Sequence, residues 1–242
     1  HMGSFKLADY SFVLLLLIFT LTNWALEIGK WKSLVQYIKP ISYADAARQS
    51  LASLTASLIT PNRIGEYGAK AIYYQKNERS KILLLNFLSN MMQMSTTLLF
   101  GCLGLVLLWD ELPSLTKQRE SFAGFVIVFL LCIATALFLK NKWLSLYVAA
   151  KNQILKIPPV TFKKSGVYSF LRYLVFSHQF YLFLLFFNVD IEYNTAMPII
   201  FLTYFISSVI PGFVLFDWLV KGSVAVSLFG FFGVNGLIIL SI

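Results

Sequence analysis

The sequence predicts an all-α protein: a polytopic membrane helical bundle with two broken, re-entrant hairpins related as inverted repeats. Three observations carry this. The 242 residues are 58% hydrophobic and 13% charged, with a mean hydropathy of +0.72, where soluble domains run at about a quarter charged. Apolar runs of about 20 residues recur, the length that crosses a hydrocarbon core. The loops between them alternate in charge. No polar stretch is long enough for a separate soluble domain, so 5–242 read as one integral membrane domain. His1-Met2-Gly3-Ser4 reads as a cloning scar.

Five uninterrupted apolar stretches stand out, at 9–28, 82–109, 121–139, 166–188 and 230–242. They are helices by elimination, because only helices and closed barrels satisfy their backbone in lipid and no ten-residue alternation marks a barrel. The last run reaches the C-terminus, so further native sequence is expected beyond it. Two more stretches, 44–75 and 196–226, are apolar but broken near the middle by Pro61 or Pro211 and then by charges. Residues 30–39 carry three Lys and no acid, 76–81 carry Lys76, Arg79 and Lys81 against Glu78, and 140–164 carry six Lys and no acid. These three loops are expected in the cytoplasm. Residues 110–120 and 189–195 are the acid-richer ones and are expected outside. The assignment closes only if each broken stretch enters and leaves on one side, the first from the cytoplasm and the second from outside. Span, hairpin and span over 9–109 then mirror the same order over 166–242, a transporter pattern. The basic segment 141–164, with interleaved apolar residues and Pro158-Pro159 near its end, reads as a surface amphipathic helix, with a solvated loop as the alternative.

The net charge of +9, from 20 Lys+Arg against 11 Asp+Glu, sits in loops between apolar runs and points to topology and anionic headgroups, not to nucleic acid. Cys102 and Cys132 read as small buried thiols. Glycines 101 and 104, and 230, 233 and 236, are spaced for close helix packing. No His/Cys ligand cluster, no nucleophile elbow and no paired carboxylates outside exposed loops appear, so no catalytic residue, metal or cofactor is expected and the chain does not read as an enzyme.

The hairpins match each other. Ser57-Leu58-Ile59-Thr60-Pro61 precedes Glu66 and Lys70, and Ser207-Ser208-Val209-Ile210-Pro211 precedes Asp217 and Lys221. Acid and base stand four apart in both, on one helical face. Pro at a first helical position fits a second half-helix whose N-terminal amides favour an anion, and Arg63, beside Asn62, adds a planar donor fork. The plainer alternative is surface hairpins whose charges reach headgroups. Arg172 lies inside the fourth span, where a charge costs about 2.5–3.5 kcal/mol unless it meets a partner or a wet cavity. Glu66 or Asp217 are its expected partners, and snorkelling to the interface is the alternative. Ser169, Arg172 and Gln179 share one polar stripe, and Asn86, Asn90 and Gln93 share another; such stripes glue helices together or line a pathway. His178 reads as a packed polar residue. The proposed binding set, Arg63, Glu66, Lys70, Arg172, Asp217 and Lys221, holds two positive charges in excess, which suits a phosphate or diphosphate.

Leu58-Ile-Thr-Pro61-Asn-Arg63-Ile-Gly65-Glu66 with Lys70 resembles the Pro-x-Arg-x-Gly-Glu signature of the lysylphosphatidylglycerol synthase transmembrane-region, or flippase-like, family. Ile210-Pro211-Gly212 through Asp217 to Lys221-Gly-Ser-Val-Ala resembles its second signature, with Phe213-Val-Leu-Phe-Asp217 where many relatives have glycines followed by Glu. The resemblance implies a bundle in a bacterial cytoplasmic membrane that moves a lipid with an anionic polar headgroup, a phospholipid or a lipid-linked sugar or diphosphate, between leaflets. In that reading Arg63 and Arg172 pair with phosphate, Lys70 and Lys221 set the field, and Glu66 and Asp217 hold the bases or exchange a coupling proton. No aminoacyl transferase segment lies within the 242 residues, so lipid lysylation is not assigned. Membrane lipids are the expected partners, with a second copy of the chain or an envelope-biosynthesis enzyme as protein partners. Two other classes stay open: a transporter of small soluble anions, and a non-transporting subunit that docks a glycosyltransferase or synthetase.

Overall fold

In the computed structural model, which describes residues 7–60, 64–109, 111, 154, 157–210 and 217–242, every regular element is a helix. In chain order they are α1 (Leu7–Val35), α2 (Tyr43–Leu58), α3 (Ile64–Ile72), α4 (Arg79–Leu107), α5 (Pro159–Phe186), α6 (Tyr193–Val209), α7 (Asp217–Phe231) and α8 (Gly236–Ser241). By length and composition α1, α4 and α5 can cross a membrane. The protein is an all-helical membrane protein.

Local chemistry sets the helix ends. Ser42 caps α2: its Oγ accepts from the Asp45 amide at 3.0 Å and donates to Asp45 Oδ2 at 2.7 Å. That bond holds the exposed Asp45 carboxyl below the usual carboxylate range. Each interrupted stretch holds two helices, α2 and α3 in the first and α6 and α7 in the second. At the first elbow the Thr60 hydroxyl donates to Ala56 O at 3.0 Å and accepts from the Gly65 amide at 2.8 Å, clipping the end of α2 to the start of α3. Gly65 must be glycine there, because a Cβ would run into the Ala56 carbonyl. Helix α5 stops at Asn188, whose φ of 52° is left-handed. The Val189 amide closes back on Leu184 O at 2.9 Å and the Asn188 amide on Leu185 O at 3.0 Å, while the Val189 and Leu184 side chains are buried.

Helix α1 runs antiparallel along α5, with Phe12 near Phe186, Thr20 against Gln179, Glu27 against Arg172 and Gly29 against Tyr168. Helix α4 runs parallel to α5: Gln93 reaches Ser169, and one stretch further along Phe100 stacks on Tyr173 at 4.5 Å between centroids. These relative directions are those the loop charges require. Helix α6 runs antiparallel to α4 and is the most enclosed element, with an unbroken buried run from Ala196 to Thr203. It centres one apolar core with α4, α5, α7 and α8; a second core joins the end of α1 to α2, α3 and the start of α4.

Several expectations need correction. Helix α1 continues past residue 28 to Val35, so Lys30 and Lys32 belong to the helix and not to a loop; Lys30 is buried beside a carboxylate that neutralises it. Residues 159–164 form the first turns of α5, because Pro159 is placed where a helix begins and its missing amide costs nothing. The run 230–242 is not one span. It breaks after Phe231 at Gly233, with φ of 76°, where the Val234 and Gly233 amides bond to Phe229 O and Gly230 O, and Asn235 then caps α8. Gly233 thus serves a turn, and a Cβ at Gly230 would meet open space, so neither is a packing glycine; Gly236 does approach Val226. Cys102 is exposed on α4 and not buried. The stretches 121–139 and 141–153, Cys132, Pro61, Pro211 and residues 1–4 lie outside the described residues.

Gly101 and Gly104 do carry close packing: a Cβ at Gly101 would sit 2.5 Å from Phe205 Cβ, and one at Gly104 would sit 2.8 Å from Pro198 O. Overpacking of this kind costs about 1–3 kcal/mol. Gly101→Ala is therefore expected to lower the melting temperature in detergent, measured beside Gly230→Ala, which is expected to leave it unchanged.

Candidate functional site

The charges on α3 point inward. Glu66 and Lys70 are one turn apart and both buried, with Lys70 only 1% exposed. The Lys70 ammonium donates to Glu66 Oε1 at 2.9 Å and to Asn86 Oδ1 of α4 at 2.8 Å, and lies 4.4 Å from the centre of the Trp31 ring. Two carboxyl or amide oxygens and one aromatic face thus occupy the three directions an ammonium can donate to. Trp31 is itself fixed, since its Nε1 donates to Gln49 Oε1 at 2.7 Å and the Tyr74 hydroxyl donates to the same oxygen at 2.9 Å.

A second charged group adjoins the first. Glu27 on α1 accepts from Lys30 at 2.9 Å and from Arg172 Nη1 of α5 at 2.6 Å, and Arg172 Nε donates to Asn23 Oδ1 at 2.9 Å. Trp31, which follows Lys30 on α1, links the two groups through its ring's contact with the Lys70 ammonium. The two groups form one cluster at the junction of α1, α3, α4 and α5, in which three cations face two carboxylates and one positive charge is in excess.

Beside this cluster runs a polar seam. On α4, Asn86 Nδ2, Ser89 Oγ and Gln93 Oε1, and on α5, Ser165 Oγ, Ser169 Oγ and the Tyr173 hydroxyl, are buried without a hydrogen-bond partner among the described residues. Each costs desolvation free energy where it stands, so the α4–α5 seam favours a polar guest. It ends where Tyr173 meets Phe100, Phe176 and Phe201.

Of the residues singled out in the sequence, Glu66, Lys70, Asn86 and Arg172 come together. Asn90 Nδ2 donates to the Tyr67 hydroxyl at 3.2 Å, Gln93 Nε2 approaches Ser169 O at 3.5 Å, and Gln179 Nε2 donates to Thr20 Oγ1 at 2.8 Å. Arg172 pairs with Glu27 of α1, and among the described residues it makes no ion pair with Glu66. Lys221 is half-buried on α7, which packs chiefly on α6 and α8. Asn62, Arg63 and the Asp217 side chain lie outside the described residues. His178 is packed as expected, with its ring nitrogens at 2.8 Å from Leu174 O and 2.9 Å from the Tyr193 hydroxyl. Sequence reasoning missed Asn23, Glu27 and Lys30. Their signal was a polar stripe of the kind noticed on α4 and α5, with Thr20, Asn23 and Glu27 spaced by three and four. No group of His, Cys, Asp and Glu fit to hold a metal occurs among the described residues.

The chain matches no family model, no curated protein and no solved structure. What can be said of its chemistry rests on the cluster itself. Removing one partner of a buried ion pair costs about 3–5 kcal/mol, because the other charge stays buried. Glu27→Ala strands both Lys30 and Arg172, whereas Arg172→Met leaves Glu27 paired with Lys30. Thermal unfolding in detergent is expected to show the larger loss for Glu27→Ala; equal losses would mean that Glu27 is not the shared acceptor.

Proposed function

We propose that the protein is a flippase: it carries a lipid with an anionic polar headgroup between leaflets, the headgroup passing through the polar interior while the tails stay in the bilayer. The observation that carries this reading is the buried cluster of Lys30, Lys70 and Arg172 with Glu27 and Glu66. Charges inside membrane helices are expensive, and a bundle that needed only to be stable would do as well with apolar residues. One positive charge in excess suits a phosphate, and the adjoining seam offers hydroxyls and amides to the rest of a headgroup. In the proposed cycle the phosphate competes with Glu27 for Arg172 and with Glu66 for Lys70, and each carboxylate takes the base back when the headgroup leaves. The two elbows act as re-entrant hairpins of an inverted repeat, and the resemblance of 58–70 and 210–225 to the flippase-like family supports the same assignment.

Reconstitution into proteoliposomes with a fluorescent phosphatidylglycerol in one leaflet tests this. Wild type is expected to equilibrate the probe between leaflets, and Lys70→Gln and Arg172→Gln, each lacking one phosphate-binding cation, are expected to slow it at least about tenfold, a loss of one charge-assisted hydrogen bond. Wild-type rates in both variants, or uptake of free phosphate without movement of lipid, would replace the flippase reading with another.

A further inference from the structure

A cavity of about 550 Å³ lies between the last turns of α1 and the first turns of α5, apart from the buried cluster. On α1 its residues Gly29, Lys32, Ser33 and Gln36 occupy the face opposite Glu27, Lys30 and Trp31. Lys163 and Lys164 of α5 complete it, and among the described residues no acidic side chain lines it. That sets it apart from the interior, where Lys30, Lys70 and Arg172 each have a carboxylate within 2.9 Å. Lys32 is held in place by Tyr43, with its ammonium 3.8 Å from the ring centre. Tyr168 forms part of the wall and crosses α1 at Gly29, where an added Cβ would stand 3.0 Å from the ring. The remaining wall is apolar, from Val160, Val167 and Leu171. The cavity also sits where two helices capable of spanning a membrane reach their basic ends, the level of headgroups.

We infer that this cavity is a binding site for a phosphate group at the membrane boundary, with Lys32, Lys163 and Lys164 as its cationic contacts and the hydroxyl of Tyr168 as a hydrogen-bond donor. Three lysines gathered at one cavity, with no carboxylate among its described lining residues, favour an anionic ligand, and the apolar wall accommodates the start of an acyl chain. An anionic phospholipid fits both features; free phosphate or diphosphate fits the first. The inference does not rest on transport, because occupancy of the site is measurable whether or not the lipid crosses.

The test uses the full chain in phosphatidylcholine nanodiscs with and without phosphatidylglycerol, with retained lipid counted by native mass spectrometry, and a parallel titration of lipid-free protein in detergent with inorganic pyrophosphate. Wild type is expected to retain phosphatidylglycerol over phosphatidylcholine. Lys163→Gln/Lys164→Gln is expected to weaken that retention about thirtyfold, at roughly one basic residue's membrane attraction each, and Lys163→Arg/Lys164→Arg to restore it. Lys76→Gln/Lys81→Gln, which removes two exposed basic residues that do not line the cavity, is expected to leave retention unchanged, which separates this site from general surface charge. Lysine-dependent binding of pyrophosphate without any lipid preference would assign the same site to a soluble phosphate. Retention and pyrophosphate binding that are equal in wild type and the glutamine variant would overturn the proposal.

Discussion

A single carboxylate, Glu27, accepts from the ammonium of its own helix and from the guanidinium of α5, and so ties together two helices that are 145 residues apart in the chain. Without it, α1 would carry a buried lysine with no carboxylate beside it, and the half-buried arginine of α5 would keep only its hydrogen bond to Asn23. With it, the two helices can lie along each other over most of their length, from Phe12 and Phe186 at one end to Gly29 and Tyr168 at the other. The α1–α5 seam in turn defines both polar regions: the cluster on its inner side and the lysine-lined cavity on its outer side. One shared acceptor therefore sets the geometry on which two proposed binding regions depend.

The elbow between α2 and α3 delivers the rest of the cluster. Its turn is closed by one hydroxyl serving both arms, and the close approach at Gly65 lets α3 lean back on α2, which aims Glu66 and Lys70 at Asn86 and Trp31. Helix α7, the second helix of the other interrupted stretch, is longer, 15 residues against nine, and packs chiefly on α6 and α8.

What could be read from the sequence was whatever depends on short-range chemistry. The breaks near Thr60 and Ile210 followed from proline and charge inside apolar stretches, and the packing role of Gly101 and Gly104 followed from their spacing. The inward face of α3 followed from a four-residue interval between Glu66 and Lys70. Boundaries set by pairing were not legible. Counting loop charge by sign assigned Lys30 to water, since a count does not register that Glu27 stands one turn before it. An averaged hydropathy over 230–242 concealed Gly233 and Asn235, which turn the chain. The partner of Arg172 was out of reach for a different reason: which face of α5 meets α1 is a tertiary fact, and Glu66 was an equally good chemical candidate.

Helix α6 is enclosed on its faces by α4 and α5, which precede it in the chain, and by α7, which follows. Its seventeen residues span about 25 Å as a helix, short of a full hydrocarbon thickness. An element so short and so thoroughly clad has little to anchor it in lipid by itself. Its enclosure is complete only with α7 in place, so the centre of the bundle is seated by helices from both sides of it in the chain.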